Sequence, residues 1–144
     1  MKLLSIGGPG RAWTVFMTKE VLEFLNDWGQ AKQPKVSMTS FLLQSVPLGG
    51  PQESNPIVCK PVKGSDGLFY FRKGKRHGEK VRVFWFYGAT RLQVVCAWGC
   101  VKTQEKLEPE DIRMANSLRG AYRTDLENGE LSITDGVPLL RGKR

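Results

Sequence analysis

Residues 67–98 decide the fold. They read GLFYFR at 67–72, KVRVFWFY at 80–87 and LQVVCAW at 92–98. Each segment has strand length and is rich in β-branched and aromatic residues. Side chains alternate along a strand, so Val81, Val83, Trp85 and Tyr87 point one way and Arg82, Phe84 and Phe86 the other. The connections are short: KGKRHGE at 73–79, with two glycines, and Gly88-Ala89-Thr90. The three segments therefore predict an antiparallel meander, apolar on both faces except at its ends.

Working outward, RAWTVF at 11–16 predicts a first strand. Thr18 is placed to cap a helix over 19–28, with Glu20 in its first turn and Gly29 as its stop. Val21, Leu22, Phe24, Leu25 and Trp28 form the apolar face of that helix. Pro34 marks the start of a second helix, with Met38, Phe41, Leu42 and Ser45 on one face. Pro47 and Gly49-Gly50-Pro51 end it. Downstream, Pro109 opens a third helix with Glu110 and Asp111 in its first turn and Gly120 after its end. Ile112, Ala115 and Leu118 give its buried stripe. Beyond Ala121, Asn128-Gly129 either makes a hairpin turn or lies in a loose tail. The expected fold is α+β: a small antiparallel sheet, two N-terminal helices packed on one face, and a C-terminal helix. The expected domain covers 1–120, with 121–144 as an extension.

The 144 residues suffice for one domain with a real core. No apolar stretch approaches a membrane span. Gly7, Gly8 and Pro9 interrupt the apolar start before a signal-peptide core forms. Cys59, Cys96 and Cys100 are odd in number and lack the spacing of a zinc site, so they read as reduced thiols of a cytoplasmic protein.

Charge is segregated. Residues 58–106 hold eleven lysines or arginines against three acids, whereas the remainder holds eleven of each. The whole excess of +8 thus falls in one third of the chain. Such segregation points to a polyanionic partner, nucleic acid first, with a solvated basic face as the plainer alternative.

The segment NPIVCKPVKGSDGLFYFR, followed by VRVFWFY and then VVCAWGCVKTQEKLEPEDI, resembles the phage-derived, HigB-like branch of the RelE/ParE toxin superfamily. That branch carries a basic K-x-L-K-G-S-x-G-L-Y-E-L-R strand, an arginine-led hydrophobic strand, and H-G-F-x-K-K-T-Q-K-x-P leading into a helix. About 60 residues match. Trp98 stands where histidine is common, Cys100 where phenylalanine is, and Tyr70 where glutamate is. The resemblance implies the toxin of a type II toxin–antitoxin system: an endoribonuclease that cleaves messenger RNA on the ribosome and so inhibits translation. It implies a small cognate antitoxin of helix-turn-helix type, with operator DNA bound only through the toxin–antitoxin complex, and no membrane partner. Within the same superfamily, the alternative is a non-catalytic module, either a ParE-like gyrase poison or an inactive binding protein.

The implied reaction needs no metal and no cofactor. The ribose 2′-hydroxyl attacks the adjacent phosphate while the protein moves protons and neutralises charge on phosphorus. The resemblance places Arg72, Arg82, Lys102 and Lys106 in catalytic positions. Ordinary strand-end or loop cations are the alternative for each. Lys73, Lys75, Arg76 and Lys80 read as contacts to the RNA backbone. His77 lies in that cluster, although an incidental loop histidine is the commoner reading. Gln104 is positioned either to bond RNA or to cap the following helix. Tyr87, and with it Trp98 and Tyr122, offers a stacking face, against the commoner role of aromatic core. There is no carboxylate pair, no Ser–His–Asp set and no phosphate loop, since Gly7-Gly8-Pro9-Gly10 lacks the lysine and spacing of one.

Overall fold

The computed structural model describes residues 1–7, 10–75 and 77–135. The chain runs through β1 (Lys2–Ile6), β2 (Thr14–Thr18), α1 (Lys19–Asn26), α2 (Lys32–Ser40), a π-helical turn (Phe41–Ser45) and α3 (Val46–Gly49). It continues through β3 (Cys59–Pro61), β4 (Phe69–Gly74), β5 (Lys80–Tyr87), β6 (Gln93–Lys102), α4 (Pro109–Glu127) and β7 (Ser132–Asp135).

The expected meander is present, but the expected small antiparallel sheet is not. Seven strands of the described residues form one sheet in the order β3-β4-β5-β6-β2-β1-β7. The sheet is mixed, because β2 runs parallel to β6 and β1 parallel to β7. Helices cover both faces. One core cluster joins Val21, Leu25, Met38, Leu42 and Val46 to Met17, Phe71, Val83 and Trp85. The other joins Ala115 and Tyr122 of α4 to Leu68, Phe84, Phe86 and Val95. The sequence concealed β1 because it lies between two neighbours and buries Leu3 on one face and Leu4 and Ile6 on the other. A strand covered on both sides loses the alternation that marks a half-exposed one.

The pattern read at 80–87 is the one the sheet uses. Val81, Val83 and Trp85 enter the first cluster, Phe84 and Phe86 the second. Trp85 is wholly buried and stacks on Phe69 and Phe71 at 4.7 and 5.0 Å. Opposite it the register shifts: Phe84 pairs with Trp98 but Trp85 with Cys96, which leaves Ala97 as an extra residue. Ala97 and Trp98 consequently both face α4.

Thr18 caps α1 as its sequence predicts, its hydroxyl accepting a bond from the Val21 amide at 3.2 Å. The second helix starts two residues before Pro34, which sits in the first turn where its missing N–H is not needed. The expected face of Met38, Phe41, Leu42 and Ser45 is corrected by one residue. The wider π-helical turn at 41–45 adds a residue to the winding, so Val46 is buried and Ser45 exposed.

Gly120 lies inside α4, whose C-cap is Asn128. The helix outlasts its glycine because Tyr122, two residues on, is buried against Phe86. That anchor outweighs the cost of about 1 kcal/mol for an interior glycine. Asn128-Gly129 closes the helix, Gly129 adopting a φ of +68°. The chain then returns as β7 beside β1, and the Met1 ammonium pairs with Asp125. The hairpin considered at 128–129 is therefore absent, and residues 136–144 lie outside the described ones. Among the described residues, no helix is long and apolar enough to cross a membrane.

Candidate functional site

β4 and β5 meet at a narrow neck, where Gly74 pairs with Lys80. Gly74 has a φ of +133°, and a Cβ there would lie 2.4 Å from the Glu79 carbonyl oxygen, so only glycine fits. The 75–79 loop beyond the neck carries Lys75 and His77, both exposed. Strand pairing sets Arg72 directly opposite Arg82. The two expected arginines therefore share one face, that of α4, but their surroundings differ sharply.

Arg82 is 1% exposed. Its Nη2 donates to the carbonyl oxygens of Gln104 and Glu105 at 2.6 and 2.8 Å, and its guanidinium lies 5.8 Å from the Tyr70 ring. Its Nε has no hydrogen-bond partner. Arg82 thus holds the 103–106 segment in place. Arg72 is partly open, donating through Nη1 to Glu105 at 3.0 Å and through Nε to the Ile57 carbonyl at 3.3 Å. Lys80, nearly buried, reaches the other oxygen of Glu105 at 3.4 Å. Partial desolvation pushes the Glu105 carboxyl up, but the bond from Lys80 and the charges of Lys80, Arg72 and Arg82 outweigh it, holding the group below its ordinary pKa.

These groups enclose a cavity of about 640 Å³ at the open end of β3, β4 and β5. Among the described residues its walls carry Lys60, Arg72, Lys73, Lys75, Lys80 and His77, with Glu105 as the one carboxylate. Lys73 also lays its ammonium over Phe41, 4.5 Å from the ring centroid. Several basic side chains gathered on concave walls make a site for an anion. No family model, curated protein or solved structure matches this chain. The likeness to the toxin superfamily accordingly rests on the sequence motifs alone.

Five of the expected site residues meet in this cavity: Arg72, Lys73, Lys75, His77 and Lys80. Arg76 lies outside the described residues. Lys102 is elsewhere, paired with Glu108 at 2.9 Å and Asp111 at 3.1 Å. The bond to Glu108 leads in raising its pKa, which partial burial opposes. Lys106 lines a second, neighbouring groove. Gln104 is exposed and bonds Glu108 at 3.2 Å. Tyr87 is at the opposite end of β5, its hydroxyl donating to Glu53. Burial, then that bond, pushes the phenol far up. The indole of Trp98 donates to Asp111 at 3.0 Å, and the Tyr122 hydroxyl accepts from the Ala89 amide at 3.1 Å. Tyr122 is buried and Trp98 half-buried, both packed in the core on the α4 side.

Sequence reasoning missed Lys60 and undervalued Glu105. Lys60 sits on a three-residue edge strand that ends in Pro61, too short to read as a strand. Glu105 is one of the three acids at residues 58–106, and nothing in the sequence sets it apart. Its clamp by three cations comes from register and is not visible in spacing. Cys59, Cys96 and Cys100 are free and buried, and burial raises each thiol, Cys59 and Cys100 to about 12. They are poor nucleophiles where they stand.

Proposed function

We propose that this chain binds messenger RNA through the cationic cavity and cleaves it without a metal, as the toxin of a toxin–antitoxin pair acting on ribosomes in the cytoplasm. One observation carries the reading: a carboxylate, Glu105, held within a cavity whose other charged walls are cations. An entering phosphate competes with Glu105 for Arg72 and Lys80. Freed of those partners, the carboxylate becomes a stronger base and takes the 2′-hydroxyl proton. The 2′-oxygen bonds to phosphorus, Arg72, Lys73 and Lys80 stabilise the added charge, and the bond to the 5′-oxygen breaks. His77 delivers a proton to that leaving oxygen, and the proton taken by Glu105 passes back through solvent to reset the pair. The products are a 2′,3′-cyclic phosphate and a free 5′-hydroxyl.

An antitoxin that covers this end of the sheet would silence it, and operator DNA would be met through that complex. A second reading is a module of the same superfamily that binds without cutting. It is favoured by the neutralised state of Lys102 and the burial of Arg82, which leave two expected catalytic cations unable to reach a phosphate as placed. The test is purified protein with ribosomes and message in excess chelator. Cleavage yielding cyclic-phosphate ends, and falling about a hundredfold in Glu105→Gln, supports the ribonuclease. Tight RNA binding with no cleavage supports the binding module, and cleavage abolished by chelator contradicts the mechanism.

A further inference from the structure

The cationic cavity does not end at Lys60 and Glu105. Both residues also line a second groove of about 760 Å³, between edge strand β3 and the start of α4. Lys60 pairs across the strands with Tyr70, which forms part of the groove's floor. Its walls combine apolar surface from Pro56, Pro61, Tyr70, Leu107 and Ile112 with a polar margin of Lys63, Lys106, Glu53 and Ser54. Leu107 and Ile112 remain half-exposed, although they pack against the α4-side core. Their apolar surface is therefore open to a ligand.

We propose that this groove is a base subsite, taking an unpaired nucleobase of the RNA whose phosphate occupies the cationic cavity. The inference rests on the RNA reading above and extends it to a definite second contact. A nucleobase is apolar on its two faces and polar only at its edge, which matches apolar walls with lysines beside them. The groove shares Lys60 and Glu105 with the anion site, which suits an occupant that carries a phosphate next to an apolar plate. That combination describes a nucleotide of a single strand. In a duplex the base faces are stacked and unavailable. Lys106, expected from the sequence to touch RNA chemistry, then contacts the nucleotide at its base side.

The test compares inorganic phosphate, ribose 5-phosphate and uridine or adenosine 5′-monophosphate on the full-length protein by amide chemical-shift mapping. All three are expected to move residues 72–75. Only the nucleotides are expected to move Val62, Leu107 and Ile112, and to bind at least tenfold more tightly than ribose 5-phosphate. Leu107→Ala, at a half-exposed site, should erase that gain and leave ribose 5-phosphate binding unchanged. Nucleotides binding no better than ribose 5-phosphate, with Leu107 and Ile112 unmoved, would overturn the base subsite while leaving the anion site standing. If no probe moves residues 72–75, the RNA reading itself falls and takes the subsite with it.

Discussion

The two flanks of one sheet end make an instructive pair. On the β3–β4 flank, Lys60, Arg72, Lys73 and Lys75 line an open cavity in which Glu105 is the one carboxylate among the described residues. On the β6–α4 flank, Lys102 is spent on Glu108 and Asp111, and Arg82 is buried beneath backbone carbonyls. Both flanks belong to the same basic third of the sequence. What separates them is the segment that leads into α4: the carbonyls of Gln104 and Glu105 take up Arg82, and Glu108 and Asp111 take up Lys102. Segregated charge in a sequence marks where cations are, but packing decides which of them a ligand can use.

The contrast breaks most visibly at Arg82. Arg82→Ala leaves two part-buried carbonyl oxygens without their donor and opens a cavity, so it should cost about 3 kcal/mol of folding stability. Chemical denaturation measures this, and a loss below about 1 kcal/mol would mean that Arg82 is not structural. A smaller effect is expected at Lys102. Lys102→Met should destabilise by about 1 kcal/mol at neutral pH, because Glu108 and Asp111 lose their shared cation. The folded pKa of Lys102 lies above the unfolded value of 10.5. Its contribution is thus complete below that value and lost as pH rises through the folded pKa. Melting temperatures of wild type and Lys102→Met should therefore converge in strong alkali, and curves that stay parallel there would discount the ion pairs. The smallest effect belongs to Lys32→Ala, a cation over the Trp28 ring away from both flanks, which should leave RNA affinity within twofold. A larger loss would extend the binding surface to the helical face.

What the sequence revealed follows from the same physics. The β4–β5–β6 meander was legible because each strand alternates between two distinct cores, and α1 and the start of α4 because Thr18 in one and Pro109 with its following acids in the other are local signals. The parallel pairings of β1 and β7 were not, since a four-residue exposed strand, SITD, has no periodic signal and finds its place only beside β1. At the site, Arg72, Lys73, Lys75 and Lys80 were legible as a dense cluster of charge. Glu105 and Lys60 were not, because their place depends on where β3 and the 103–106 segment pack. Lys35 shows the limit from the other side: it reads as a surface residue but is 3% exposed, bonded to the Asp27 carbonyl and set over Phe24.

The central claim is that the open flank holds the RNA backbone and the closed flank does not. Measuring affinity for a short single-stranded RNA against salt, in wild type, Lys73→Glu/Lys75→Glu and Lys102→Met, tests it directly. The account predicts at least a tenfold loss for the double variant, with a salt slope shallower by about 0.7 for each phosphate contact removed. For Lys102→Met it predicts wild-type affinity and slope. Equal losses on both flanks, or a larger loss at Lys102, would contradict it.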